Sequence, residues 1–283
     1  MGQQIHWFPG HMNKALNEVE NKVKLVDVII ELLDARAPMS SINENLEKIT
    51  SNKKKLIVLT KTDLADPEQT KKWTGELAKT YDEILSLDLK SSNAENLLSK
   101  AVISLGKDKW AKEIAKGMKP QPIRTMIIGI PNVGKSSLIN RLAKRKAAGV
   151  QNKPGYTRGE QWIKVNKDFL LLDTPGILPM NYENPNKAAN LALIGAIRED
   201  ILPNEQLGEL LISFLKAHYP NALANRYDIS EIGDRLTVLK QICERRKILN
   251  SVGENDIARA EALLLKEFKD GLLGRITLEQ YGA

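Results

Sequence analysis

From residue 15 onward, apolar positions recur at helical spacing. Ala15, Leu16, Val19, Val23 and Val26 are separated by charged residues, which predicts an amphipathic helix. The period then changes. Val28-Ile29-Ile30-Glu31-Leu32-Leu33-Asp34 is nearly all apolar, the pattern of a parallel strand covered on both faces. Ala35-Arg36-Ala37-Pro38 ends it, and a short helix is expected over 42–50. Lys55-Leu56-Ile57-Val58-Leu59-Thr60 reads as a second buried strand. A helix over 67–81 follows, with Trp73, Leu77 and Ala78 on one face. Ile84-Leu85-Ser86-Leu87-Asp88-Leu89 is a third strand, 94–116 a helix, and Lys119-Pro120-Gln121-Pro122 a linker. Ile123–Ile128 is a fourth strand. Trp162-Ile163-Lys164-Val165 and Phe169-Leu170-Leu171-Leu172-Asp173 read as two paired strands. This alternation predicts an α/β fold built on a doubly wound sheet.

Past about residue 185 the strand signal stops. Helical patterns cover 186–200, 204–218, 228–232, 234–249 and 254–270, punctuated by Pro203, Pro220 and Gly253. The expected organisation is therefore an α/β domain over 1–185 and a helical domain over 186–283. At the other end, Trp7-Phe8-Pro9-Gly10-His11-Met12 combines aromatics, a Pro-Gly turn and a histidine, which fits a structured loop.

The sharpest motif is Gly129-Ile130-Pro131-Asn132-Val133-Gly134-Lys135-Ser136. It fits G-x-x-x-x-G-K-[ST] between a strand and a helix, the context a phosphate-cradling loop requires. Glycines let the backbone wrap closely, and N–H groups at a helix start point at negative charge. Asn132, Val133, Gly134, Lys135, Ser136 and Ser137 are the candidate phosphate-binding residues, with Lys135 on the β- and γ-phosphates and Ser136 on Mg²⁺. Asp173-Thr174-Pro175-Gly176 ends an apolar strand; Asp173 would hold Mg²⁺ through water and the Gly176 N–H would reach the γ-phosphate. Thr157, in the Gly- and Pro-rich stretch between, is the candidate sensor of the γ-phosphate and a further Mg²⁺ ligand; the rival reading is an ordinary loop hydroxyl. Thr60-Lys61-Thr62-Asp63 is the candidate base reader. A carboxylate that accepts from N1–H and the 2-amino group selects guanine, because adenine lacks that donor pair, and the Lys61 stem can pack on the base plane. Ser91 and Ser92 after the third strand could add a donor to guanine O6.

The base reader precedes the phosphate loop by about seventy residues, the reverse of the familiar GTPase order. One sheet can accommodate this only if the chain is circularly permuted. With these motifs the chain resembles the circularly permuted GTPases, and most closely the ribosome biogenesis GTPase A family. The resemblance is carried by Trp7–Met12, Asp34-Ala35-Arg36-Ala37-Pro38, the base reader, the phosphate loop, Pro154-Gly155-Tyr156-Thr157 and Asp173–Gly176. Two departures stand out. Thr60 replaces the family's usual Asn, which should weaken a contact that buttresses the base site. Ile42 stands where Arg is expected.

The resemblance implies a GTPase that serves assembly of the large (50S) ribosomal subunit, binding pre-ribosomal particles with GTP and leaving after hydrolysis. The alternative from another class is an RNA- or protein-binding guanine-nucleotide switch whose hydrolysis is incidental. Ile177 follows D-x-x-G where many GTPases place a water-orienting Gln. His11, whose counterpart in the family is implicated in hydrolysis, becomes the candidate catalytic residue; the rival reading makes it structural or RNA-contacting. Asn132 implies a K⁺ site, since Asn at this place helps coordinate K⁺ in similar GTPases. The expected ligands are thus GTP or GDP, Mg²⁺ and K⁺.

Charge adds a partner. Net charge is +7, and residues 121–180 alone hold ten basic against three acidic residues. Arg141, Lys144, Arg145, Lys146, Lys153 and Arg158 lie close together in sequence. The surplus suggests a polyanion such as rRNA on this face, the bland alternative being a solvated basic face. A second stripe, Arg235, Lys240 and Arg245-Arg246-Lys247, is an equally open choice between a basic face and a solvated one. The single cysteine, Cys243, allows no internal disulfide; it fits a reducing cytosol and reads as a core residue. No apolar run approaches the length of about 18 residues that a membrane span needs. No secretory or lipidation signal is recognised either. A cytoplasmic monomer is expected.

Overall fold

The computed structural model describes residues 10–89, 91, 93–144, 162–172, 177, 185–197, 202–230 and 233–282, with the backbone alone for 10–13, 143–144 and 185. Among the described residues six strands form one sheet: β1 (Val28–Asp34), β2 (Lys54–Thr60), β3 (Glu83–Ser86), β4 (Ile123–Gly129), β5 (Trp162–Lys164) and β6 (Phe169–Leu172). Their order is β3-β2-β1-β4-β6-β5. Every pairing is parallel except β5 with β6.

The all-apolar run of β1 is explained by its place. It pairs with β2 and β4 at the middle of the sheet and is buried along its whole length. Val28, Ile30 and Leu32 face one side, with α5 (Ala94–Ala115) and α6 (Lys135–Lys144). Ile29 faces the other side, beneath α1 (Gly10–Val23) and α3 (Glu44–Thr50). Leu33 packs on that second side with Ala65 and with Leu77 of α4 (Pro67–Leu77). A short α2 (Pro38–Ser41) follows β1. The doubly wound sheet is as expected, and so is the permutation. The chain enters at the centre in β1, builds outward to β3, returns to the centre in β4 and completes the opposite edge.

Among the described residues five helices follow: α7 (Pro185–Leu193), α8 (Asn204–His218), α9 (Asn221–Tyr227), α10 (Arg235–Arg246) and α11 (Ile257–Lys269). The short helix lies at 221–227, ahead of the expected 228–232. Asp228 takes a left-handed conformation, φ 55°, and caps α9 there, so the helix cannot run on. The third strand is shorter than expected: β3 stops at Ser86, although Leu87 N still donates to Leu59 O at 2.9 Å. Cys243 is buried within α10 as expected. The helices meet closely. A Cβ on Gly208 of α8 would lie 2.1 Å from Glu261 Oε1 on α11. The Arg226 guanidinium grips Glu267 through two bonds of 2.8 and 2.6 Å. The main apolar cluster runs without a break from the sheet face into these helices.

The five basic residues of the possible stripe differ in their surroundings. Arg235 is held by Glu261 at 2.6 Å and by Glu205 at 2.9 Å. Arg246 lies over the Tyr227 ring and donates to Arg226 O. Lys247 is the left-handed cap beyond the helix end.

After α11 the chain runs back to the sheet. Ile276 N donates to Leu64 O, and Leu278 N to Arg36 O at 2.7 Å. The Glu279 carboxylate accepts the Met39 and Ser40 N–H groups at the start of α2. No sequence pattern announces this strap.

Candidate functional site

Three loops leave the same ends of β2, β3 and β4, where ligands bind in open α/β sheets. The loop after β4 is the phosphate loop. Gly129 has φ 148°, and a Cβ there would lie 2.7 Å from Leu32 O. Asn132 and Gly134 also have positive φ, 57° and 111°. The loop therefore turns tightly at Gly129 and opens into α6 at Lys135. Lys135 is buried, and its ammonium donates to Gly129 O at 2.9 Å and Ile130 O at 2.7 Å. Ser136 and Ser137 stand exposed on the first turn of α6.

The loop after β2 meets the phosphate loop directly. Thr60 Oγ1 lies 2.7 Å from Val133 O and 3.1 Å from Leu33 O, and Thr60 is fully buried. The hydroxyl in place of the usual Asn thus still ties base loop to phosphate loop. Lys61 has φ 54°, and its ammonium pairs with Asp34 Oδ2 at 2.9 Å. Asp34 is almost wholly buried and accepts Arg36 Nε at 3.0 Å and Nη2 at 2.8 Å. Burial alone would raise the Asp34 carboxyl. Arg36, and then Lys61, outweigh it and hold the group below the usual carboxylate value. Thr62 and Asp63 follow, half-buried, in a turn closed by Leu64 N to Lys61 O at 2.9 Å.

The loop after β3 carries Ser91. Leu89 lies against the phosphate loop: a Cβ on Gly134 would sit 3.0 Å from its Cδ1. The Arg141 guanidinium donates to the Leu89 and Ser91 carbonyls. Arg141 therefore braces this loop and is not one of the residues left over for a polyanion.

The structure brings Thr60, Lys61, Thr62, Asp63, Ser91, Asn132, Val133, Gly134, Lys135, Ser136 and Ser137 to one end of the sheet. Ser92, Lys90, Arg145, Lys146, Lys153, Thr157, Arg158, Asp173 and Gly176 lie outside the described residues, as do the side chains of His11 and Lys144. Ile177 is described. Its side chain is buried in the cluster that holds Ala15, Leu16 and Val19 of α1, and its N–H donates to Gly129 O at 3.3 Å. Asn43 Nδ2 donates to Ile177 O at 3.1 Å. Ile42 packs half-buried against the cluster of Leu33 and Leu59. Among the described residues no group of three or more acidic, His or Cys side chains forms a metal cage. Ser136 is a hydroxyl of the right kind and place for a phosphate-bound Mg²⁺.

Sequence reasoning missed Asp34, which pairs with Lys61 of the candidate base reader, and Arg36, which holds Asp34. The signal was an acid closing an apolar strand with an arginine two residues on. Only the fold shows that Arg36 also donates to Lys269 O and Ile194 O, both at 3.1 Å, in the helical segment.

A phosphate loop on the central strand, with a Lys-x-Asp base reader arriving from an earlier strand of the same sheet, defines a circularly permuted GTPase. The profile of a family described as "50S ribosome-binding GTPase" matches residues 124–234, beginning in β4 and so after the base reader. Ribosome biogenesis GTPase A of Bacillus cereus is 41% identical over 276 residues, covering 97% of this chain and 93% of its own. Its namesake from Thermotoga maritima is 30% identical, with 98% and 94% covered. Mitochondrial ribosome-associated GTPase 1 of Mus musculus is 33% identical, with 97% and 90% covered. Among solved structures, GNP-bound YlqF from T. maritima superposes with a TM-score of 0.65 at 25% identity, covering 94% of this chain and 98% of that one. The chain belongs to the ribosome biogenesis GTPase A family, and it is a GTP-hydrolysing enzyme.

Proposed function

We propose that the protein is an assembly factor of the large (50S) ribosomal subunit that binds pre-ribosomal particles with GTP and leaves after hydrolysis. The observation that carries this reading is identity along almost the whole chain with proteins named for ribosome biogenesis. The basic excess of 121–180 supports an rRNA contact beside the nucleotide. In this reading 1–185 is the nucleotide domain and 186–283 a helical domain. The protein acts as a monomer in the cytoplasm, and no described helix is long and apolar enough to cross a membrane.

Within the site, Asp63 reads guanine, with Lys61 along the base and Ser91 and Ser92 near O6. The backbone from Asn132 to Ser137 holds the phosphates, helped by Thr157 and the Gly176 N–H. Ser136 and Thr157, with Asp173 through a water, would hold Mg²⁺, which would offset charge on the phosphates. Asn132 Nδ2 donates to Gly195 O at 2.7 Å, which leaves its amide oxygen as the atom to meet K⁺. Ile177 is buried and apolar, so water must be oriented by another group. His11, in the first turn of α1, is our candidate for that role, and the packing of α1 on the same cluster as Ile177 supports it. A neutral imidazole would position the attacking water.

The test is sedimentation with ribosomal fractions under GTP, GDP and a non-hydrolysable analogue, with turnover measured with and without large subunits. Co-migration under GTP and the analogue, loss under GDP and stimulated turnover are expected. Migration with no particle in any state would remove the ribosomal role. His11→Ala should lower stimulated turnover while leaving GTP binding intact. A change of less than about twofold would remove the catalytic role, since such groups contribute factors on the order of a hundred or more.

A further inference from the structure

The last residues of the chain are spent on the turn that carries Asp63. Beyond α11, Gly271 and Gly274 turn the backbone at φ 77° and 105°, and the chain runs back across the base loop. Arg275 Nη2 donates to Thr62 O at 2.6 Å, and Nε to Ala65 O at 2.9 Å. Ile276 N donates to Leu64 O at 3.0 Å. The carbonyls on both sides of Asp63 are therefore held from positions more than 200 residues away. Leu64 is packed so closely that a Cβ on Gly271 would lie 2.6 Å from its Cδ2. Asp66, at the end of the turn, accepts Tyr219 OH at 3.0 Å and donates its N–H to Thr277 Oγ1 at 3.1 Å.

A carboxylate that reads two donors on a base discriminates only if its position is held to a fraction of an ångström. The turn itself offers one backbone bond, Leu64 N to Lys61 O. Arginine suits the remaining task. Its planar fork presents several donors at fixed angles, so one side chain can fix two carbonyls at a set separation, which a lysine cannot do.

We propose that Arg275 is a positioning residue for guanine recognition, clamping Thr62 and Ala65 so that Asp63 meets both donors of the base. This rests on the assignment of Asp63 as the guanine reader. Arg275 is exposed outside the turn, and its role is exerted through the backbone, without contact to the nucleotide.

The test compares affinities for GDP and IDP by calorimetry. Inosine lacks the 2-amino group, so it uses half of what Asp63 offers and depends less on where Asp63 stands. Arg275→Ala should weaken GDP binding about fivefold to tenfold, the worth of a charge-assisted pair at a partly exposed site. It should weaken IDP binding by clearly less, so the preference for GDP narrows. The kcat at saturating GTP should hold. Arg275→Lys should fall between; if Arg275→Ala does not fold, Arg275→Lys and Arg275→Gln read the same ratio. Glu279→Gln cuts the strap where it meets Met39 and Ser40 and should leave the ratio intact even if stability drops. An unchanged ratio in the Arg275 variants, or an equal narrowing in Glu279→Gln, overturns the clamp. A separate arm checks the reading beneath it. Asp63→Asn should shift preference from GDP to XDP, whose 2-oxo group accepts where guanine donates. If it does not, the guanine reader is wrong. If it does while the Arg275 ratio stays fixed, only the clamp is lost.

Discussion

Lys61 Nζ lies 2.9 Å from Asp34 Oδ2, and the same carboxylate takes two bonds from the Arg36 guanidinium. One buried acid thus fixes the lysine of the base reader and the arginine that reaches Ile194 and Lys269. Breaking a buried pair from one side leaves an uncompensated charge. Asp34→Asn should cost about 3 kcal/mol of stability, read by urea denaturation, because Arg36 keeps its charge in the interior. GTP should show a raised KM with a smaller change in kcat, since the lost anchor is on the base side. The wild-type carboxyl has a depressed pKa, so its contribution is present above the unfolded value near 3.9 and is lost as pH falls through the folded value. Asp34→Asn should flatten that acid limb.

Thr60 links the two halves of the site through Val133 O at 2.7 Å. Thr60→Val keeps the shape and removes the donor. It leaves a buried carbonyl poorly satisfied, at a cost of about 1–2 kcal/mol. GDP affinity should fall about fivefold if that cost is felt in the loop, while Thr60→Ser should stay near wild type. Equal affinities for Val and Ser would show that the bond is idle.

Glu31 is the acid in the middle of β1. It is fully buried and stands 3.3 Å from Lys55, yet neither of its oxygens has a hydrogen-bond partner among the described residues. Lys55 also pairs with Glu47 and lies over the Tyr81 ring. Burial is the largest influence and pushes the Glu31 carboxyl up to about 8, against the pull of Lys55. The sign follows from linkage. Between about 4.5 and 8 the folded state holds a proton that the unfolded state has lost, so stability falls as pH rises through that window. Glu31→Gln should abolish this slope in urea melts taken from pH 5 to 8. Parallel slopes in both proteins would refute it.

Asn132 is held in the left-handed conformation with its amide nitrogen on Gly195 O. If its oxygen serves a monovalent cation, turnover should be higher in KCl than in NaCl at equal ionic strength. Asn132→Ala should erase the difference. Equal wild-type rates in the two salts would remove the K⁺ site.

Local pattern was enough for most of this protein. A run such as Val28–Leu33 is apolar at every position but Glu31, the pattern of a strand buried on both faces. The glycines at 129 and 134 mark a backbone that L side chains would distort. The order of Lys61-x-Asp63 before Gly129–Ser136 required permutation, since those motifs must share one sheet end. The misses have a common cause. The helix expected at 228–232 was moved by a left-handed cap at Asp228, which side-chain periodicity does not encode. Arg141 looked like surplus charge because a sequence does not say which carbonyls lie within reach. Asp34, Arg36 and Arg275 gain their meaning from partners that lie in a different element or far along the chain. The sequence by itself determined that this is a GTPase on a permuted sheet, because short motifs carry their own backbone geometry. Only the tertiary structure decided what holds the base reader in place, because those hydrogen bonds join atoms separated by up to 213 residues and exist only once the helical segment has folded back onto the sheet.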